Sequence, residues 1–178
     1  MLIQKVHHVA YRCMDARQTV EWYETHLEMR FVLAIAEDRV PSTQAPDPYM
    51  HVFLDAGDGN ILAFFELPTQ ALMYRDRNTP SWVQHLALKV DSVESLLKTK
   101  ARLEAAGIEV LGPTDHTIFK SIYFFDPNGH RLELAADTGT PDMMARLDAV
   151  KREMLDEWAL TKRAPKHAAW MHDGSLSA

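Results

Sequence analysis

Residues 6–15 read VHHVAYRCMD, and residues 83–92 read VQHLALKVDS. Both open Val–polar–His and then alternate, the pattern of a strand with two unlike faces. In the first run Val6, His8, Ala10 and Arg12 share one face, and His7, Val9, Tyr11 and Cys13 share the other. In the second, Val83, His85, Ala87 and Lys89 oppose Gln84, Leu86, Leu88 and Val90, a more apolar face suited to a covering helix. A histidine therefore recurs at the same place in two strand-like runs.

The segments after these runs match as well. DARQTVEWYETHL (15–27) offers Asp15 as a cap, Gln18 as its capping-box partner, and a stripe of Val20, Tyr23 and Leu27. DSVESLLKTKARLEAAG (91–107) offers Asp91 as a cap with Glu94 reaching back. It adds Val93, Leu96, Leu97 and Leu103 for packing, and Gly107 as a stop. Each helix leads into three strand candidates. They are MRFVLAIAE (29–37), YMHVFLDA (49–56) and NILAFFELP (60–68), then IEVLGP (108–113), SIYFFD (121–126) and HRLELAA (130–136), with a short extra strand near Asp115–Phe119. DPNG (126–129) is a strong turn signal. EDRVPSTQAPDPY (37–49) lengthens the first half and reads as a loop beside a site.

The halves are an internal duplication. The expected fold class is α+β: two tandem βαβββ modules over residues 3–68 and 82–136, a linker over 69–81, and a C-terminal helix and tail over 140–178. In the last segment Thr140 caps, Pro141 fits the first helical turn, and Met143, Leu147, Val150, Met154 and Trp158 form an apolar stripe. KHAAWMHDGSLSA (166–178) reads as an irregular tail.

Composition narrows the function. The chain has 178 residues, 47% hydrophobic, with net charge -6 and no basic stripe, so phosphate-neutralising nucleic-acid binding is not expected. Cys13 is the single cysteine, so no internal disulfide forms. No basic-then-apolar leader opens the chain, and no apolar run approaches the roughly 20 residues of a membrane span. The expectation is a soluble, cytoplasmic protein with a small-molecule substrate.

The halves also end alike, FFELP with Glu66 and RLELA with Glu133. A lone strand histidine is more often a solvated polar group, and a lone strand glutamate often faces water. The same two residue types at matched places in two similar halves point instead to His8, Glu66, His85 and Glu133 as ligands of one divalent metal. His7 faces the other way and reads as packed against the first helix. His51, His130, His167 and His172 have no matched counterpart and read as structural or surface residues. Cys13 reads as core.

HHVAY followed by EWYETHLEM, then QHLALKV, then SIYFFDPNGHRLEL resembles the vicinal oxygen chelate superfamily over roughly residues 3–136. That group includes glyoxalase I, type I extradiol dioxygenases, and fosfomycin and bleomycin resistance proteins. The resemblance implies paired βαβββ modules building a cupped sheet around a metal. It matches His8, His85 and Glu133 to the usual ligands, and Glu66 to the extra carboxylate of the glyoxalase I arrangement. Tyr123 stands where extradiol enzymes often carry an active-site tyrosine, with His116 ahead of it as a loose match to their acid–base histidine.

These matches imply an extradiol-type dioxygenase cleaving a catechol-like ring, with Fe2+ or Mn2+. His116 would move a proton, Tyr123 would hydrogen-bond an oxygen, and Phe64, Trp82 and Phe125 would wall the ring. The alternative is a glyoxalase-like lyase or isomerase working through a metal-bound enediolate, with Ni2+ or Zn2+ and Glu66 or Glu133 as base. A metal-free binding or resistance protein ranks third. Relatives often dimerise, so a homodimer is expected.

Overall fold

The computed structural model describes residues 6–71, 73, 78–163 and 170. By its contacts the chain divides into two units, residues 1–84 with 125–131, and residues 85–124 with 132–178.

The first unit runs β1 (His8–Cys13), α1 (Ala16–Leu27), β2 (Arg30–Glu37), β3 (Tyr49–Asp55) and β4 (Ile61–Glu66). Its sheet has the order β1-β4-β3-β2, with β1 parallel to β4 and the remaining pairs antiparallel. Asp15 caps α1 as expected, accepting from Gln18 N–H at 2.8 Å. Val9, Tyr11 and Cys13 are more buried than His8 and Ala10, so the apolar face of β1 is the packed one. The Tyr23 and Phe64 rings meet at a tilt, 5.1 Å apart within the core, both fully buried. His7 departs from its expectation: it is exposed, and its Nδ1 meets His8 Nδ1 at 2.8 Å. β2 is an exposed edge strand, with Phe31, Leu33 and Ile35 open to solvent.

The second unit repeats the order as β5 (Leu86–Lys89), α2 (Val93–Ala105), β6 (Leu111–Asp115), β7 (Phe119–Phe125) and β8 (Arg131–Asp137), with sheet order β5-β8-β7-β6. The α2 cap is Ser92 rather than Asp91: its side chain accepts from Ser95 N–H. Glu94 pairs forward with Lys98 instead of reaching back. Leu96 and Leu103 are fully buried, whereas Leu97 is exposed. β6 lies further along the chain than IEVLGP suggested. At Gly112 a Cβ would stand 2.6 Å from the Ser121 carbonyl oxygen, so only glycine lets β6 approach β7 there.

The turn between β7 and β8 belongs by its contacts to the first unit. Buried Asp126 accepts from Tyr23 Oη at 3.1 Å and from the Asn128 and His130 N–H groups. Asn128 donates to Thr19 Oγ1 and accepts from Met14 N–H. DPNG is thus a turn whose polar side chains satisfy buried groups around α1, which its turn chemistry alone does not reveal.

The chain ends in α3 (Pro141–Thr161), capped by Thr140 with Pro141 in its first turn. Met143 is buried and Leu147, Val150 and Met154 are half-buried, while Trp158 is 48% exposed, so the stripe fades along the helix. Arg146 lies 4.1 Å over the Trp170 ring. The rest of the expected tail, 166–169 and 171–178, falls outside the described residues. Among those described, no helix is long and apolar enough to cross a membrane.

Candidate active site

The second unit brings His85 and Glu133 together. Ala87 pairs with Glu133 across β5 and β8, and His85 lies two residues before Ala87, so all three share one face. His85 Nε2 stands 2.9 Å from Glu133 Oε2. Two donors bonded at ~2.1 Å to one metal, at right angles, lie ~3 Å apart, so this spacing suits the edge of a coordination polyhedron. Glu133 is 3% exposed, and Ser121 Oγ–H donates to its other oxygen, Oε1. That hydroxyl fixes the carboxylate plane with Oε2 turned toward His85.

His116 and Tyr123 lie in the same unit. His116 Nε2 and Tyr123 Oη are hydrogen-bonded at 2.8 Å, although seven residues apart. The Tyr123 ring stands edge-on to the His85 ring at 6.1 Å. The β-hairpin of β6 and β7 makes this pairing, since Thr114 opposes Ser121 and Asp115 opposes Lys120.

In the first unit the expected pairing of His8 with Glu66 does not occur. Across β1 and β4, His8 opposes Ile61, Ala10 opposes Ala63, and Cys13 opposes Glu66. Glu66 therefore shares the Cys13 face, opposite His8. Its Oε2 accepts from Ala16 N–H at 2.7 Å, satisfying a donor in the first turn of α1. It also lines an open groove of about 650 Å³ with Val20, Glu24, Met50 and Val52. The register names the true counterpart of Glu133. Two residues beyond His85, Ala87 meets Glu133; two residues beyond His8, Ala10 meets Ala63. The first unit has a methyl group where the second has a carboxylate. Phe64 shares the Glu66 face by strand parity. It is fully buried against Tyr23 and is no wall of the His8 face.

His51, read from the sequence as structural or surface, is buried in the first sheet. It pairs with Phe65, whose parity is that of Ala63 and Ile61, so it lies on the His8 face. Its ring stacks on Phe65 at 3.6 Å and lies 6.1 Å from the His8 ring. It is 8% exposed, and burial, with a smaller contribution from His8, lowers its pKa below the usual histidine value. The absence of a matching histidine in the second half hid it; alternation along β3 could have grouped it with Phe53 but not chosen the face.

Among the described residues no three His, Cys, Asp or Glu side chains converge closely enough to hold a metal ion. The donor pair His85–Glu133 fits a divalent cation, with one borderline nitrogen and one carboxylate oxygen held by an outer hydrogen bond. His8 is exposed on β1, and a metal at its Nε2 requires its Nδ1 to be the donor toward His7.

Residues 5–134 match the model of the Glyoxalase/Bleomycin resistance protein/Dioxygenase superfamily. The chain belongs to this superfamily. Within it, the chain is 28% identical over 141 residues to the Bacillus subtilis (strain 168) protein named "Putative ring-cleaving dioxygenase MhqA", covering 77% of this chain and 42% of that protein. The chain thus spans less than half the length of that curated relative. Among solved structures it is similar to the fosfomycin resistance protein FosX of Listeria monocytogenes. The TM-score is 0.57 at 20% identity, over 80% of this chain and 98% of the other. It is also similar to a glyoxalase family protein of Enterococcus faecalis, with TM-score 0.56 at 25% identity, over 76% of this chain and 99% of the other. The likeness to FosX concerns the fold. Two βαβββ units and the superfamily match agree, and the structural likenesses lie with glyoxalase- and FosX-type proteins more than with dioxygenases.

Proposed function

We propose that this chain is a metal-dependent enzyme of lyase or isomerase type, acting on a small molecule with adjacent oxygen atoms. The observation that carries an enzymatic reading is the His116–Tyr123 hydrogen bond beside the His85–Glu133 pair, and the likeness to glyoxalase-type structures favours the lyase or isomerase over the dioxygenase. His85 and Glu133 would hold a divalent metal. When bound, the metal supplies Lewis-acid polarisation of the substrate oxygens. Glu66 leaves the donor set and the base role, because it is engaged at α1.

Tyr123 then carries the proton step. Its Oη–H faces His116 Nε2, so the imidazole can take the hydroxyl proton as Oη accepts one from the substrate, and can return it. Moving a proton from a hydroxyl-bearing carbon to the neighbouring carbonyl carbon, while the hydroxyl proton passes to the former carbonyl oxygen, isomerises the pair without an external oxidant. Ser121 keeps Glu133 oriented while this happens. A homodimer belongs to the same reading, supported by the apolar edge that β2 exposes.

The second reading is a ring-cleaving dioxygenase with Fe2+ or Mn2+. It is favoured by the name of the B. subtilis relative, and the His116–Tyr123 pair would serve it as well. One experiment separates the two. Protein loaded in turn with Mn2+, Fe2+, Ni2+ and Zn2+ is given a hemithioacetal, α-hydroxycarbonyl compounds, catechol and hydroquinone, while oxygen uptake and product masses are monitored. Turnover without oxygen uptake, reduced at least ~100-fold in Tyr123→Phe, is expected. Oxygen uptake with a ring-opened product would establish the second reading instead. No turnover with metal loading verified would overturn both.

A further inference from the structure

The face of the first sheet that carries His8 ends in a row that metal binding does not use. Arg12 on β1, Phe65 on β4 and His51 on β3 lie side by side in register. Phe65 is the centre of the row, and His51 stacks flat on it, with the two rings 17° apart. Phe53 adds a second ring 4.1 Å from His51. Arg12 is held from behind: its Nη2–H donates to the Ala71 carbonyl at 2.6 Å.

The row is polar where it should be satisfied and is not. Among the described residues, the buried side-chain nitrogens without a hydrogen-bond partner are Arg12 Nε and His51 Nε2. Both belong to this row, one on each side of Phe65. His51 is more than nine-tenths buried. Buried polar atoms are normally paired, and an orphan donor that persists beside an aromatic floor marks a place where a ligand atom completes the bond. Arg Nε–H is a donor only, and the partner that suits a guanidinium best is an anionic oxygen. His51 can donate from Nε2 to the same class of atom.

We propose that Arg12, Phe65 and His51 form a recognition subsite for an organic oxyanion carrying a planar apolar body. The anionic oxygens take the Nε–H of Arg12 and the Nε2–H of His51, and the apolar body lies against Phe65 and Phe53. This deepens the functional reading above by naming a substrate class, and it rests on that reading only in taking the His8 face as the substrate face. The subsite is built wholly from the first unit, so it binds with or without metal.

The test uses the full chain stripped with chelator. Benzoate and phenylphosphonate probe the anion with a ring, acetate the anion alone, and benzyl alcohol the ring alone. Binding is read by the 15N shift of His51 Nε2 and by calorimetry. Benzoate or phenylphosphonate should move that nitrogen and bind at least roughly 10-fold more tightly than acetate or benzyl alcohol. His51→Gln and Arg12→Lys, each checked for native circular dichroism, should each weaken the better aromatic anion about 10-fold. A carboxylate source and a phosphonate source are told apart by which of the two ring-bearing anions binds. Absence of binding by both, or equal binding to wild type and both variants, would overturn the subsite. Because metal is absent throughout, failure of the metal-dependent reading leaves this result untouched, and the converse also holds.

Discussion

The two βαβββ units share an element order and a sheet topology, yet they carry different chemistry at one register position. In the second unit β8 places buried Glu133 across from Ala87, within 2.9 Å of His85. In the first, β4 places Ala63 across from Ala10, and the nearby Glu66 turns to the other face to bond α1. A duplication therefore preserves backbone geometry more faithfully than it preserves side-chain function. One copy sets its carboxylate against His85. The other uses a carboxylate three residues along to satisfy a helix terminus.

Short of replacing Glu133 itself, the largest expected effect comes from the hydroxyl behind it, which has no counterpart to orient in a unit that carries alanine there. Ser121→Ala should weaken Mn2+ binding by roughly 10–100-fold, as loss of an outer-shell partner does, and should cost the metal-free fold about 1–3 kcal/mol by leaving a buried carboxylate oxygen unpaired. An unchanged affinity would mean that Ser121 is only a packing residue.

Next come the turns. The β3–β4 turn bonds within itself, through Asp55 to Gly57 N–H and Asn60 to the Gly57 carbonyl. The DPNG turn instead reaches α1. Tyr23→Phe removes a donor to buried Asp126 and should lower stability by about 2 kcal/mol in denaturant unfolding. A loss near zero would show that the other donors to Asp126 suffice. Glu66→Ala should cost about 1 kcal/mol by the same measurement, since it strips a partner from the first turn of α1.

The smallest effect concerns Cys13, on the Glu66 side of β1. Burial pushes its thiol up from 9.0 to about 11. A group raised in the folded state contributes stability that is complete below its unfolded value and is lost as pH rises through its folded value. Cys13→Ser should therefore flatten a fall in stability seen between pH 9 and 11. Native Cys13 should also resist iodoacetamide at pH 8, and rapid alkylation there would contradict its burial.

Much of the fold was legible because it is local. Alternation around His8 and His85, the caps Asp15 and Thr140, and the stop at Gly107 each depend on a few adjacent residues. The His85–Glu133 and His116–Tyr123 contacts were also within reach, since parity and hairpin geometry bring them close. The fate of Glu66 was not legible. FFELP and RLELA look equivalent as strings, but equivalence is set by the pairing of β4 with β1, a long-range register that leaves no mark in either string. His51 was hidden for the same reason: its face is defined by its pairing with Phe65. The cap of α2 moved by one residue because Asp91 and Ser92 are both competent, and the backbone chose Ser92.

The proposed contrast between the units sets Glu133 as a metal donor against Glu66 as a helix partner. Mn2+ titrations read by electron paramagnetic resonance on wild type, Glu133→Gln and Glu66→Gln separate these roles. Saturable binding is expected in wild type. It should be retained within about threefold in Glu66→Gln and lost in Glu133→Gln by more than the roughly 100-fold of an outer-shell change. Equal loss in both variants, or undiminished binding in Glu133→Gln, would refute the assignment.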